Sequence, residues 1–496
     1  MNRFPLLLCI VGVILLVLPF LNGELWFLSW IGFLPLFLLL EEKTPAKAFC
    51  WTYLAGFLFF TSVLYWLIHV TIPGWLVLNI YLALYFGLFG LIVSLSKKIR
   101  NPYLLFFIPS AWVCLEFIRG TFLTGFPWAI IGYSQYKNLF IIQIADITGA
   151  YGVSFLLILT NFAIYKLIRN KKIYIRNFLS VIIIILLVLG YGYFRLNQKY
   201  EGEGLKISVI QGNIPQDKKW QPDLQSYILA KYLAITRLAS KDNPDLIIWP
   251  ETSVPGYLED EGFLFENITS LAREIKTNLL LGTVAGEKWS IYNSATLLSR
   301  EGRITKRYDK LHLVPFGEYI PLPRIFAFVA DIAPAPIGDF AFGKDYTVFS
   351  LYGNKELTFS VLICFEDVFP YLSRNFVRKG AKFLVNITND AWFKKSVEPY
   401  QHLQSSVFRA VENRVWVVRA ANTGVSCFVD PTGNVISRVQ DKETKEDIFV
   451  PGYKTQDIHL ENRPSLYTKI GDTFVLCCFI FCLTGLIFRK NENTKS

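Results

Sequence analysis

Charged residues are scarce in this sequence and make up 18% of its 496 positions. A soluble protein of this size carries about 25%. The deficit is uneven, because nearly all of the excess apolar content lies before residue 196. This distribution favours one membrane bundle plus one large globular domain over several soluble domains. The formal net charge of +11 does not indicate nucleic-acid binding, because most Lys and Arg residues flank apolar segments.

Several functional signatures are missing as well. The chain has no phosphate-binding glycine loop, no dinucleotide-binding glycine fingerprint, no internal repeat and no low-complexity segment. Its four His residues are scattered without metal-ligand spacing, so the sequence predicts neither a metal nor a cofactor. Of eight Cys residues, only Cys364 and Cys427 fall in the polar half, and two thiols in a large domain do not make a disulfide framework.

What the chain has in abundance is apolar segments, and eight of them are predicted to be membrane helices. Each is close to the ~20 residues that cross a hydrocarbon core. They are residues 4–20, 25–40, 49–72, 75–96, 102–118, 151–168, 178–194 and 473–488. A cleaved signal peptide is the alternative for the first segment, but no small-residue cleavage site follows Phe20 and another apolar segment begins at once.

The short loops predict the orientation of these helices. With a cytoplasmic N-terminus, fourteen Lys and Arg residues lie in cytoplasmic segments and two, Arg119 and Lys137, lie in outer loops. This is a strong positive-inside bias. Seven crossings then place residues 197–470 outside the cytoplasm, and the eighth returns the C-terminus. The predicted domains are therefore a bundle at 1–196, an extracytoplasmic domain at 197–470, and a last helix with its tail at 471–496.

One pair of charged residues lies near the outer end of a predicted membrane helix. Glu116 and Arg119 are three positions apart, so they share one helix face. Charged groups in a membrane are often functional. The alternative is that the pair ties the helix end to the following loop.

The polar half alternates short β-branched or apolar segments with segments of helical spacing. Strands are predicted at 205–211, 245–250, 279–284, 294–299, 303–308, 359–364, 383–387, 415–420 and 426–430. Helices are predicted at 224–240, 263–277, 371–380 and 401–413. Such alternation is typical of an α/β layered domain.

Three reactive side chains stand at the ends of predicted strands, namely Glu251, Lys310 and Cys364. Each alone has a plain structural interpretation, but together they make chemical sense. A thiol is mostly protonated near pH 7, and a carboxylate can take its proton as general base. An ammonium group can stabilise both the thiolate and the oxyanion of a tetrahedral intermediate. The sequence therefore predicts a Glu–Lys–Cys catalytic triad.

The segments around these residues resemble the Glu, Lys and Cys motifs of the nitrilase superfamily. A wider set of motifs, taken in their order along the chain, resembles the superfamily's membrane-bound branch, the apolipoprotein N-acyltransferases. This resemblance covers essentially the whole chain. The motifs are Trp249–Glu251, Lys310–Glu318, Cys364–Asp367, Gln211–Trp220, Asn389–Phe393, Arg409–Arg414, Ala421–Gly424 and Trp112–Trp128.

The resemblance implies a fold and a reaction. The fold is an αββα nitrilase-like sandwich inserted in a helical bundle of the bacterial inner membrane, with the sandwich on the periplasmic side and both termini cytoplasmic. The reaction moves an acyl chain from a phospholipid, commonly phosphatidylethanolamine, through a Cys364 thioester to the α-amine of a diacylglyceryl-cysteine at the N-terminus of an apolipoprotein. The enzyme is expected to be a monomer without nucleic-acid partners.

Further roles follow from the resemblance alone. Glu251 would be the general base, and Lys310 would hold the oxyanion together with the backbone N–H after Cys364. Glu318 and Glu366 match acids that orient the Lys and Cys or assist proton transfer. Three aromatic residues match substrate and lid positions: Trp220, Trp392 and Phe393. Phe365 departs from the family, which often has Tyr there.

Other functions remain open at this point. A membrane-tethered nitrilase-type amidase acting on a small C–N substrate would keep the triad. A transporter would usually carry polar residues or broken helices at mid-membrane, and these segments show few. The intact triad argues against an inactive scaffold.

Overall fold

The computed structural model describes residues 4–98, 101–198, 202–287, 290–321, 324, 339–352, 354, 357–460 and 463–493. Contacts within the chain divide it into two compact units. The helical unit comprises Met1–Gln198 and Ile470–Ser496, and the sheet unit comprises Lys199–Lys469.

Apolar α-helices make up most of the helical unit. They are α1 (Pro5–Leu21), α2 (Leu34–Leu39), α3 (Pro45–Val63), α4 (Ile72–Leu95), α5 (Asn101–Thr121), α6 (Leu139–Ile142), α7 (Ala145–Thr148), α8 (Ala150–Arg169), α9 (Lys171–Leu196) and a last helix, Thr473–Asn493. Helices α3 and α4 begin alike. Thr44 and Thr71 each accept a hydrogen bond from a backbone N–H of the first turn, and Pro45 and Pro73 stand in that turn.

Five described helices are long and apolar enough to cross a membrane. They are Pro45–Val63, Ile72–Leu95, Tyr103–Thr121, Ala150–Arg169 and Lys171–Leu196. The apolar part of α1 and the described apolar part of the last helix are shorter. The total of eight crossings therefore stays a prediction.

The second predicted membrane segment, residues 25–40, is not one α-helix. A 3₁₀ helix spans Gly23–Trp30, and α2 begins only at Leu34. At the break, the Asn161 side chain accepts hydrogen bonds from the backbone N–H groups of Phe33 (2.9 Å) and Leu34 (3.1 Å) and donates one to the Ser29 carbonyl (3.0 Å). A buried Asn therefore satisfies backbone groups that a continuous helix would pair internally, so the chain can bend within an apolar region. The expectation of one continuous helix was wrong here.

The sheet unit contains two six-stranded sheets. The order in the first is β12-β1-β2-β3-β4-β5, and in the second β11-β10-β9-β8-β7-β6. The strands are β1 (Glu203–Gln211), β2 (Leu246–Ile248), β3 (Asn278–Glu287), β4 (Ser290–Leu298), β5 (Ile304–Asp309), β6 (Phe349–Ser350), β7 (Thr358–Ile363), β8 (Phe383–Thr388), β9 (Trp416–Ala421), β10 (Cys427–Val429), β11 (Val435–Arg438) and β12 (Gly452–Leu460).

Each sheet is parallel at its centre and antiparallel at its edges. In the first, β1, β2 and β3 are parallel, while β12, β4 and β5 join through antiparallel pairs. In the second, β7, β8 and β9 are parallel. Because β5 is antiparallel to β4, and β4 to β3, the carboxyl end of β5 lies at the same sheet edge as that of β2. This edge carries the chemistry described below.

Helices and a hydrophobic core support the sheets. The longer helices of this unit are α10 (Gln225–Ser240), α11 (Gly262–Ile275), α12 (Pro370–Arg378) and α13 (Glu398–Asn413), and a short one spans Leu466–Ile470. The core beside the first sheet includes Trp249, whose ring stacks on Tyr232 at 4.8 Å and whose Nε1–H donates to Thr236. Trp249 is fully buried, so the strand end leading to Glu251 is firmly held.

The predicted strands and helices of the polar half are all present, with small shifts at their ends. Three observed strands were not predicted, namely β6, β11 and β12. β6 has only two residues, β11 has no buried residue, and β12 has only two buried residues, Ile458 and Leu460.

Candidate active site

The three residues of the predicted triad each lie at or just beyond the end of a strand. Glu251 lies three residues after the end of β2, Lys310 is the first residue after β5, and Cys364 is the first after β7. Buried strands fix where these side chains start, because loops after parallel strands gather at one edge of a sheet. Glu251 is 6% exposed and Lys310 is 1% exposed.

Glu251 and Lys310 belong to one compact polar cluster. Lys310 Nζ lies 2.9 Å from Glu318 Oε1 and 3.5 Å from Glu251 Oε1. Asn293, on β4, donates from Nδ2 to both carboxylates at 2.8 Å. Glu318 Oε2 also accepts the backbone N–H of Val314 at 2.7 Å. The cluster thus holds one cation against two carboxylates in a buried site.

This arrangement keeps Lys310 charged. Burial disfavours an ammonium group, but the negative charges of Glu318 and Glu251 outweigh that effect and raise the pKa of Lys310. A permanently charged, immobilised ammonium is suited to stabilising an oxyanion. Glu318 therefore makes the shortest ionic contact of Lys310, at 2.9 Å.

Cys364 occupies a strained turn between β7 and a 3₁₀ helix, Cys364–Val368. Its φ is +52°, a left-handed conformation that non-glycine residues rarely adopt. Its carbonyl accepts hydrogen bonds from Asn386 Nδ2 (3.3 Å) and His402 Nε2 (3.2 Å). These two side chains hold the turn, so its strain is supported from two elements.

The thiol of Cys364 is protonated at rest. Burial and the Glu251 carboxylate raise its pKa well above the ordinary value, and Lys310 opposes them only in part. A thiol in that state needs a base to become a nucleophile. Glu251 is the carboxylate whose charge acts most strongly on it.

Glu366 is fully buried and anchors the loop that follows Lys310. Its Oε1 accepts the backbone N–H groups of Leu311 (2.7 Å) and His312 (3.0 Å), and its Oε2 accepts that of Ile363 (2.8 Å). The Tyr308 hydroxyl donates to both oxygens. Burial raises the pKa of Glu366 to about 7. Its contacts connect the Lys310 loop to the Cys364 strand end, which is an orienting role.

The four predicted aromatic residues differ in exposure. Phe365 is 9% exposed and packs edge-on against Phe369. Trp220 and Trp392 are 50% and 45% exposed, and Phe393 is partly buried. Half-exposed Trp side chains on two loops are available to contact an apolar substrate.

Behind Cys364 lies a group of three potential metal ligands, Asp390, Glu398 and His402, whose ligand atoms lie within 4.8 Å of one another. Arg419 already occupies this group and binds Asp390 Oδ2 at 3.1 Å. Burial opposes ionisation of Asp390, but Arg419 outweighs it and lowers the pKa to about 2. His402 faces Asp390 with Nδ1 at 3.3 Å and donates to the Cys364 carbonyl with Nε2. The arrangement supports the nucleophile turn through hydrogen bonds.

The charged pair of the helical unit ties a helix end to a loop. Arg119 donates to the carbonyls of Phe126 (2.9 Å) and Trp128 (2.5 Å), and Glu116 Oε1 accepts the backbone N–H of Ile131 (2.8 Å). Both side chains are 3% exposed. These contacts agree with the second of the two interpretations given for the pair.

Sequence reasoning missed Asn293, which bridges Glu251 and Glu318. The sequence offered little signal, because Asn293 stands just before the predicted strand at 294–299 and beside another polar residue, Ser294. It also assigned no contact to Asn386, which supports the Cys364 turn together with His402.

Family models match both parts of the chain. Residues 12–163 match an apolipoprotein N-acyltransferase N-terminal domain, and residues 206–456 match a carbon-nitrogen hydrolase domain. The second match includes every residue of the predicted triad.

Similar proteins are found across the full length. An apolipoprotein N-acyltransferase of Geobacter metallireducens is 39% identical over 99% of this chain and 96% of its own length. One of Pasteurella multocida is 30% identical over 95% of this chain and 93% of its own. Among solved structures, an amidase from Nesterenkonia sp. covers 56% of this chain and 97% of its own at 19% identity, with a TM-score of 0.40.

Proposed function

The chain belongs to the apolipoprotein N-acyltransferase family, and we propose that its Glu251–Lys310–Cys364 cluster transfers the acyl chain. The donor is a phospholipid and the acceptor is the α-amine of the diacylglyceryl-cysteine at the N-terminus of an apolipoprotein. The observation that carries the residue assignment is the buried contact of Glu251 with Lys310 at the sheet edge, where the charge of both acts on the Cys364 thiol.

In the first half-reaction, Glu251 takes the proton from Cys364 Sγ. The thiolate attacks the ester carbonyl of the phospholipid, and a carbon–sulfur bond forms. Lys310 and the backbone N–H of Phe365 stabilise the oxyanion. When the ester C–O bond breaks, the lysophospholipid oxygen takes the proton from Glu251. The products are a Cys364 thioester and a lysophospholipid.

In the second half-reaction, the α-amine of the acceptor attacks the thioester carbonyl. Glu251 takes a proton from the attacking nitrogen, and the same groups stabilise the oxyanion. Breaking the carbon–sulfur bond yields the amide and the Cys364 thiolate, which regains the proton from Glu251. The enzyme returns to its starting state, so the two steps form a ping-pong cycle.

The membrane-tethered amidase accounts for the triad but not for the rest of the chain. Residues 12–163 match the N-terminal domain of the acyltransferase family, which a soluble amide substrate would not require. Both substrates of an apolipoprotein acyltransferase carry acyl chains that anchor them in a membrane, so a helical unit of this composition has a clear use.

The finer arrangement is part of the proposal. Residues 1–196 and 471–496 form a bundle of eight membrane helices, and residues 197–470 form an αββα sandwich on the periplasmic side of the inner membrane. Both termini are cytoplasmic. The positive-inside bias of the short loops supports this orientation, and the two six-stranded sheets support the sandwich.

The proposal also covers the donor, the oligomeric state and the contacts of the acyl chain. The donor is phosphatidylethanolamine, and the enzyme acts as a monomer. Trp220, Trp392 and Phe393 contact the acyl chain, and the exposure of the two Trp side chains supports that role.

The test is mass spectrometry of the purified protein incubated with phosphatidylethanolamine and no acceptor. We expect a fatty-acyl mass on the Cys364 peptide that neutral hydroxylamine removes. Cys364→Ala should abolish it and Glu251→Gln should strongly reduce it. Cys427→Ala, which changes the other thiol of the sheet unit, should leave it unchanged. A folded wild-type protein that forms no adduct but releases ammonia from small amides would support the amidase instead.

A further inference from the structure

A second buried lysine lies beside the proposed base. Lys219 belongs to the loop after β1, where residues 215–223 are exposed or partly exposed except for Lys219 itself, which is 4% exposed. Lysine is almost never this buried unless its charge is paired. Among the described residues, no carboxylate lies within salt-bridge distance of its Nζ. This burial therefore calls for another explanation.

The Lys219 ammonium binds the turn that carries Glu251. Its Nζ donates to the carbonyl of Glu251 at 3.0 Å and to the Thr252 hydroxyl at 2.5 Å. Both partners are neutral, so these bonds do not neutralise the charge. They hold the carbonyl of Glu251 and the side chain of the next residue, Thr252.

That turn is strained and tightly packed. Thr252 has a φ of +43°, which is an outlier for a β-branched residue. The turn also lies close against Gly282 of β3. A Cβ at Gly282 would lie 2.1 Å from the Pro250 carbonyl and 2.6 Å from the Thr252 nitrogen. The turn is therefore held both by close packing on the sheet and by the Lys219 ammonium.

We propose that Lys219 is a positioning residue for acyl transfer, whose buried ammonium holds the Glu251–Thr252 turn and couples the placement of the base to the loop of Trp220. Trp220 is the next residue in the chain and is half exposed, so a movement of this loop pulls on the turn through a single side chain. This role deepens the proposed function and rests on it.

The electrostatic surroundings agree with this role. The groups whose charges act on Lys219 are Glu251 and Cys364. Burial lowers the pKa of Lys219 to about 8, while the negative charges of both groups oppose that shift. A charged Lys219 therefore favours the Cys364 thiolate, and this contribution is lost as the pH rises through the pKa of Lys219.

The experiment compares Lys219→Met, which keeps length but removes charge and donors, with Lys219→Arg, which keeps both. The matched control is Lys218→Met at the exposed neighbouring lysine. Two quantities are measured on the full-length protein in detergent: the rate of Cys364 thioester formation from phosphatidylethanolamine, and the rate of Cys364 alkylation by iodoacetamide without lipid as a function of pH.

We expect Lys219→Met to slow thioester formation by about 100-fold, as for a base misplaced by about 1 Å, with little change in the KM for lipid. Lys219→Met should also be alkylated several-fold more slowly than the wild type near pH 7, where Lys219 is charged, and this difference should shrink as the pH rises above about 8. Lys219→Arg should retain the alkylation rate near pH 7 and part of the rate of thioester formation, and Lys218→Met should match the wild type.

Two outcomes would overturn the role. One is a Lys219→Met enzyme with wild-type rates of thioester formation and of alkylation near pH 7. The other is a loss of the rate of thioester formation that only follows a lower Tm, with the alkylation rate unchanged at every pH, since that is what a purely structural side chain would give. A wild-type protein that forms no thioester would refute the proposed function instead, while the alkylation rates would still report on Lys219.

Discussion

Replacing Asn293 by Asp changes almost no volume but puts a third carboxyl group between two carboxylates. Asn293 Nδ2 lies 2.8 Å from both Glu251 and Glu318. Two like charges at that distance repel by about 6 kcal/mol at an effective dielectric constant near 20. Keeping an Asp with an ordinary pKa of about 3.9 protonated at pH 7 costs about 4 kcal/mol. The new carboxyl group should therefore stay protonated at pH 7.

The sign of the pH dependence follows from that comparison. The folded-state pKa of the new Asp is raised above its unfolded value, so the variant is most stable at low pH. Relative to the wild type, it should lose about 1.4 kcal/mol per pH unit above pH 4, until the folded-state pKa is reached. A protonated Asp donates one hydrogen bond where Asn donates two, so Glu251 or Glu318 loses a partner at every pH.

The assay is the Tm in detergent between pH 4 and pH 8, together with the rate of thioester formation at each pH. Asn293→Asp should approach the wild-type Tm near pH 4 and fall away from it as the pH rises. The control is Asn243→Asp in the exposed loop after α10, which should follow the wild type throughout. A deficit in Asn293→Asp that does not depend on pH would refute this electrostatic explanation.

Three further changes test other contacts. Glu366→Gln replaces one of the two accepting oxygens by an NH2 group, so at least one of the three backbone N–H groups bound there loses its acceptor. The variant should lower the free energy of unfolding by about 2 kcal/mol, seen as a lower Tm; an unchanged Tm would contradict the anchoring role. Arg119→Met should make the loop at 122–130 more sensitive to protease in detergent, because its carbonyls lose their donor, whereas Lys137→Met should not. Asp390→Asn should be less stable than the wild type by about 2 kcal/mol at pH 7, and the difference in Tm should shrink as the pH falls from about 4 to 2; a constant difference would show that the Arg419 pair does not titrate.

Much of the sheet unit could be predicted from sequence, because its central strands are short, apolar and clearly bounded. Residues 246–249 contain no polar side chain, and residues 359–363 contain one, Ser360, which is buried. Strand ends are where reactive side chains collect in such sheets. The positions of Glu251, Lys310 and Cys364 therefore followed from local pattern.

The remainder depends on contacts far apart in sequence. Lys218 and Lys219 are equivalent in the sequence, and only the tertiary structure shows that one is exposed and the other buried. Asn293 and Asn161 look like surface residues until their partners, 42 and 128 positions away, are known. The strand β12 was missed because its pairing with β1, rather than a core-facing pattern, makes it a strand.

That pairing of β1 with β12 has a consequence for synthesis of the chain. Glu203 pairs with Leu460, so the sheet unit begins and ends at neighbouring positions of the first sheet. During translation, the outer edge of β1 stays unpaired until about 250 further residues have been made, and the ribosome adds 5–20 residues per second. An exposed strand edge invites pairing with another chain for that time. Truncation before residue 452 should therefore produce aggregation. A circular permutant of the sheet unit, with Leu460 linked to Glu203 and new ends in an exposed loop, should be tolerated.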